Sequence, residues 1–141
     1  MTLSRNEVSI GQRFTSVVVD NLSRTQIVQY AGASGDFNPL HTDEIYVTQV
    51  ANSPSVFAHG MLTMGMSGRA LTDLVGPDRV LFFGGRFLAQ VWPGDTLTTE
   101  LVVVEVADDE SGSPVVHLDL ETHNQDGKAV FSGSARARLD A

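Results

Sequence analysis

Between Gly60 and Val75 the chain runs through Met61, Leu62, Met64, Met66, Ala70, Leu71, Leu74 and Val75 with no charge before Arg69, and Gly76-Pro77 stops it. Apolar residues this dense predict a buried helix over residues 60–75 rather than a half-solvated one. Gly65 and Gly68 lie inside it, and each costs about 1 kcal/mol relative to alanine. Packing must favour them, and the close approach of a sheet would do so. A helix wrapped by strands is therefore the first expectation, and it constrains the rest of the chain.

Strand patterns follow directly. Residues 80–91, 96–106, 115–124 and 129–139 are apolar or β-branched runs separated by Pro93-Gly94-Asp95, by Asp108 to Ser113 and by Asp126-Gly127, which predicts an antiparallel meander. In the third run Val116, Leu118, Leu120 and Thr122 alternate with His117, Asp119, Glu121 and His123, the pattern of a sheet with one face in water. Upstream, residues 13–20 with three consecutive valines predict a first strand. Ser23 and Gln26 then form a capping box, with Leu22 and Ile27 at the staple positions, for a helix from residue 23 to about 33. A weak helical turn is expected over residues 43–51, and Asn52 to Ser55 form another loop. Helices followed by consecutive strands give an α+β domain. With no linker or repeat, residues 1–141 are expected to be one domain, and 42% hydrophobic content suffices for one core.

Charge and composition remove whole classes of function. A net charge of -8 opposes a nucleic-acid binder, which needs a surplus of Lys and Arg. Zero cysteines exclude disulfides, thiolate metal sites and a cysteine nucleophile, and they suit a reducing compartment. The polar first residues and the lack of an apolar run of roughly 18 to 20 residues predict a cytoplasmic protein without a membrane span.

Four histidines compete for a chemical role. The alternation assigns His117 and His123 to a solvated sheet face. His41 and His59 stand instead in a loop and at a helix start. Residues 34–42 read SGDFNPLHT, in which Gly35, Asp36, Asn38 and Pro39 are turn formers, so Asp36 and His41 belong to a loop. Each alone has an ordinary reading, Asp36 as an Asx-turn former and His41 as a satisfied loop histidine. Together they bracket a rigid turn and could hold one water between them for proton transfer. Gly60 opens the apolar helix, where backbone N-H groups lack intrahelical acceptors, so its amide is a candidate oxyanion donor as well as a packing glycine. His59 either orients that corner or caps the helix. A further reading makes Asp36, His41, Asp43 and His59 metal ligands.

The stretches YAGASGDFNPLHTDE, FAHGMLTMGMSGRAL and RFLAQVWPGDTL resemble, in this order, the signatures of the MaoC-like (R)-specific enoyl-thioester hydratases. D-x-N-P-L-H followed about seventeen residues later by A-H-G-M is a specific combination. The resemblance implies a hot-dog fold, a hydratase/dehydratase acting on trans-2-enoyl and (3R)-3-hydroxyacyl thioesters of CoA or an acyl carrier protein, and no cofactor or metal. It implies Asp36 and His41 as the catalytic dyad, and Gly60, His59 and Asn38 around the substrate. A homodimer is expected; the run AHGMLTMG is also similar to the catalytic subunit of two-subunit (3R)-hydroxyacyl carrier-protein dehydratases, so a heterodimer or a noncatalytic partner role is the alternative assembly. Gly68 stands where some relatives carry serine, and residues 51–57 lack the usual G-F before the proline. Hot-dog thioesterases usually place a carboxylate on the central helix, and none occurs between Gly60 and Thr72.

Overall fold

The computed structural model describes residues 3–141. Five strands, β1 (Arg13–Val19), β2 (Val80–Phe87), β3 (Leu97–Asp108), β4 (Pro114–His123) and β5 (Ala129–Arg138), form one sheet in the order β1-β3-β4-β5-β2, antiparallel throughout. Helices α1 (Arg24–Ser34), α2 (Glu44–Gln49) and α3 (Gly60–Val75) accompany it. The sheet wraps α3, the helix predicted at these same bounds. This is the hot-dog arrangement.

The meander holds only for β3, β4 and β5. The sequence reading would set β2 beside β3, whereas β2 pairs with β5 at the opposite edge. The reason is that β3 already has both neighbours, β4 on one side and β1 on the other, with Phe14 opposite Leu101. Strand β2 also ends at Phe87, four residues short of the predicted 91; beyond it only single bonds remain, such as Leu88 N-H to the Val130 carbonyl.

The alternation in β4 is reproduced. Val116, Leu118, Leu120 and Thr122 are buried, while His117 and His123 face outward beside Glu105 and Glu121. Phe131, fully buried, packs against Phe83 and Phe87 of β2. A Cβ at Gly68 would come within 3.0 Å of the Phe83 ring, so this glycine does allow the sheet to approach; Gly65 faces open space and has no such role.

Three hydroxyls fix α3 on the sheet. Ser67 donates to the Thr63 carbonyl at 2.9 Å, and Thr122 lies 2.7 Å from both Ser67 and Thr99. Each hydroxyl has one proton. Because the Ser67 proton is taken by the carbonyl, Thr122 must donate to Ser67 and Thr99 to Thr122, giving a buried chain of one direction.

Candidate active site

The capping box forms as read: the Ser23 hydroxyl accepts from Gln26 N-H at 3.0 Å, and Gln26 Oε1 accepts from Ser23 N-H at 2.9 Å. Helix α1 ends at Gly35, whose φ of 76° is left-handed and whose N-H donates to the Ala31 carbonyl at 3.0 Å. That conformation suits glycine and turns the chain sharply into Asp36. Two consecutive Asx turns follow. Asp36 Oδ1 accepts from Asn38 N-H at 3.2 Å, and Asn38 Oδ1 accepts from Leu40 N-H at 3.0 Å. The Asn38 carbonyl then accepts from His41 N-H. The two readings of Asp36 are thus not exclusive: Oδ1 builds the turn, while Oδ2 lies 3.9 Å from His41 Nε2.

His41 is largely buried, whereas the Asp36 carboxylate is about half exposed. His41 Nδ1 sits 2.7 Å from the Phe57 carbonyl. A carbonyl only accepts, so Nδ1 carries a proton, and Nε2 is the ring nitrogen that faces Asp36.

His59 stands at the N-cap of α3 but makes no side-chain cap bond. Its Nε2 donates instead to the Asp36 main-chain carbonyl at 2.9 Å. Its ring stacks on His41 with centroids 3.8 Å apart, and Tyr30 meets its other side edge-on at 4.8 Å. Neighbouring Gly60 has an N-H that meets no acceptor among the described residues. A Cβ there would stand 3.0 Å from the Phe87 ring, so Gly60 is a packing glycine and an open amide at once. A cleft of about 430 Å³ opens at this corner, lined by Phe57, Gly60, Thr63, Phe87, Leu88 and Gln90.

Asp36, His41 and His59 offer ligand-type atoms within 4.8 Å of one another. The fourth residue of the metal reading does not join them: Asp43 Oδ1 accepts from Tyr46 N-H and caps α2. The Ser67 hydroxyl is taken up by the Thr63 carbonyl and by Thr122 of the sheet. Tyr30, Phe57 and Phe87 were not singled out by the sequence reading. Each lies in one of the three quoted stretches, yet Phe57 acts through a carbonyl, which every residue has.

Residues 5–125 match the model of the MaoC like domain. The chain belongs to the MaoC-like family. Among relatives, this MaoC-like chain is 35% identical over 97 residues to peroxisomal enoyl-CoA hydratase 2 of Arabidopsis thaliana, covering 67% of this chain and 31% of the relative. It is 42% identical over 69 residues to 3-hydroxyacyl-thioester dehydratase Y of Mycobacterium tuberculosis, covering 47% and 24%. The matched part of the chain thus spans 24% to 31% of the length of these relatives. The unliganded R-hydratase PhaJ1 of Pseudomonas aeruginosa superposes with a TM-score of 0.81 at 29% identity, over 99% of this chain and 88% of that one.

Proposed function

We propose that the protein interconverts trans-2-enoyl and (3R)-3-hydroxyacyl thioesters by syn addition and removal of water, without metal or cofactor. The observation that supports this most is the 3.9 Å between His41 Nε2 and Asp36 Oδ2, atoms whose partner atoms Nδ1 and Oδ1 are already engaged. One water oxygen about 2.8 Å from each would sit at the apex of a near-right angle, a geometry ordinary hydrogen bonds tolerate.

In hydration the water oxygen forms its bond to C3 as one of its protons passes to the Asp36-His41 pair. The C2=C3 π electrons move toward the thioester carbonyl, whose developing charge meets the open Gly60 N-H at the positive end of α3. A proton returned from the pair to C2 on the same face completes the addition. Dehydration is the reverse. The two residues share one water, so the two proton transfers belong to both together. Asn38 shapes the turn that carries the dyad, and the cleft beside Phe57 and Phe87 takes the acyl or pantetheine part of a CoA or carrier-protein thioester.

The assembly we propose is a homodimer through the free edge of β2, where Leu81, Phe82, Phe87 and Leu88 are between 42% and 49% exposed. An apolar, unpaired strand edge requires cover.

The test is a panel of trans-2-enoyl-CoA and enoyl carrier-protein thioesters of increasing chain length, followed by loss of the enoyl-thioester absorbance with and without EDTA. Turnover that persists in chelator is the expected result. Activity abolished by EDTA and restored by a divalent metal would overturn the metal-free mechanism, and no turnover of any enoyl thioester would overturn the reaction class.

A further inference from the structure

The hydration steps above leave one buried titratable ring without a task. His59 is 2% exposed, it does not cap its own helix, and its Nε2-H is engaged by the Asp36 carbonyl. It therefore has no proton to offer a substrate oxyanion through Nε2, and its Nδ1 is buried with no partner among the described residues. A ring nitrogen buried without a partner is costly, so another interaction must hold the ring there.

The reason lies in how the two loops are joined. The dyad loop, residues 35–43, and the segment preceding α3, residues 56–59, are joined by the main-chain bond from Phe57 N-H to the Leu40 carbonyl and by two imidazole bonds that run in opposite directions. His41, on the first, donates from Nδ1 to the Phe57 carbonyl on the second. His59, on the second, donates from Nε2 to the Asp36 carbonyl on the first. The same two rings stack at 3.8 Å with 26° between their planes, with Tyr30 closing the outer side of His59 and Phe57 meeting His41 edge-on at 5.3 Å. Remove the first imidazole tie and His41 loses its orientation. Remove the second and the main chain of Asp36 keeps its N-H bond to the Ser34 hydroxyl but loses the tie that sets it relative to the ring its carboxylate serves. A displacement of about 1 Å in reacting groups is enough to cost roughly 100-fold in rate.

We propose that His59 is a positioning residue of the reaction, setting the Asp36-His41 separation by its hydrogen bond to the Asp36 carbonyl and its stack on His41. It touches neither substrate nor the transferred protons. The inference rests on the hydratase reading, because it takes the dyad as the site of chemistry.

Two substitutions separate the bond from the ring. His59→Phe keeps a stacking ring and removes the donor. His59→Gln removes the ring and keeps an amide donor at nearly the reach of Nε2. The phenylalanine variant should lose roughly 10- to 100-fold in kcat. Its KM should stay within about threefold of wild type, since uniform substrate binding is untouched. The glutamine variant should recover most of that loss. In a His41→Gln background, His59→Phe should cost less than about threefold more, because a residue acting through the dyad has nothing left to position. Should the phenylalanine variant not fold, His59→Asn, too short to reach the Asp36 carbonyl, takes its place with the same expected outcomes.

A kcat at the wild-type level in the donor-less variant would overturn the proposal. So would a loss of equal size in the His41→Gln background, or a glutamine variant as slow as the phenylalanine one. Nitrogen-15 spectra of the imidazoles give a readout independent of turnover: wild type should carry its proton on Nδ1 of His41 and on Nε2 of His59. The opposite tautomer at His59 would sink the tie even in an active enzyme. Failure of wild type to hydrate any enoyl thioester would instead sink the hydratase reading, and the tautomer assignment would still decide whether the tie exists.

Discussion

Asp36 divides its carboxylate between two tasks, Oδ1 accepting the N-H of Asn38 and Oδ2 facing Nε2 of His41 at 3.9 Å. Structure and chemistry can therefore be separated by a single atom change.

Asp36→Asn keeps a carbonyl oxygen for the Asn38 amide and removes the charge, and His41→Gln removes the imidazole. Each should lower kcat by roughly 10² to 10⁴, the usual weight of a general acid-base group. Melting temperatures should stay close to wild type. The double variant should be little slower than the worse single one, since two groups on one water act as a unit. Steady-state kinetics with several enoyl thioesters checks this, and near-wild-type turnover in both single variants would defeat the assignment.

At Gly60 a methyl group would meet the Phe87 ring at 3.0 Å. Phe87 is about half exposed and can swing aside, so Gly60→Ala should fold, while the displaced ring and the methyl crowd the open amide. A fall of roughly 10- to 100-fold in kcat/KM is expected. Combining it with Phe87→Ala should restore part of the loss; no loss at all in the single variant would remove Gly60 from the substrate's path.

The buried hydroxyl chain makes an asymmetric stability prediction. Thr122→Val leaves the Thr99 proton without its acceptor and takes from Ser67 the donor it accepts from, although Ser67 keeps the Thr63 carbonyl, whereas Thr99→Val deprives only Thr122 of a donor. Unsatisfied buried groups cost about 1 to 3 kcal/mol each, so the Thr122 change should be the more costly by at least about 1 kcal/mol in urea unfolding. Equal costs would mean the chain does not run from Thr99 to Ser67.

Light scattering tests the assembly. Wild type should elute as a dimer, and Leu81→Lys, which places a charge on the apolar edge of β2, should shift it toward monomer. A monomeric wild type that is fully active would end the dimer proposal, and activity appearing only with an added homologous chain would favour the heteromeric one.

Glu44 links α2 to the start of α1. Its carboxyl is held below the ordinary glutamate range first by the Arg24 side chain and then by the Val56 N-H. A carboxylate lowered in the folded state contributes stability above its unfolded value and loses it as pH falls through the folded one. Stability should thus decline on the acid side of the usual glutamate range, and Glu44→Gln should flatten that part of the pH profile. The pair is solvent-exposed, so the effect is small. Melting curves across the acid range would show it.

What could be read from the sequence was local. The bounds of α3, the Ser23-Gln26 capping box and the alternation of β4 are written in neighbouring residues, and the structure has all three. Leu22 and Ile27, read as a hydrophobic staple, are both buried. Strand order was not legible, because the pairing of Gly85 with Gly133 or of Phe83 with Ala135 joins residues about fifty apart, and periodicity does not say which run lies beside which. The glycines of α3 looked alike as symbols, yet Gly60 and Gly68 each face a ring and Gly65 faces open space. At the site, Asp36 and His41 stood out because their side chains differ from their surroundings. The carbonyls of Asp36 and Phe57, which orient the two histidines, have no letter of their own.

The Phe57 N-H donates to the Leu40 carbonyl at 3.3 Å, and with the His41 bond to Phe57 this joins the two ends of the intervening excursion. Closed at its neck, the excursion behaves as a side branch. Its tip, residues 49–52, is exposed, and Asn52 there has a φ of 54°. Doubling the length of a loop already closed costs only about 0.6 kcal/mol. Extra residues at the tip would therefore hang outside without disturbing Asp36 and His41, so this is the place where a peptide tag, a reporter or a tether to another domain can be spliced into the chain with the site left intact.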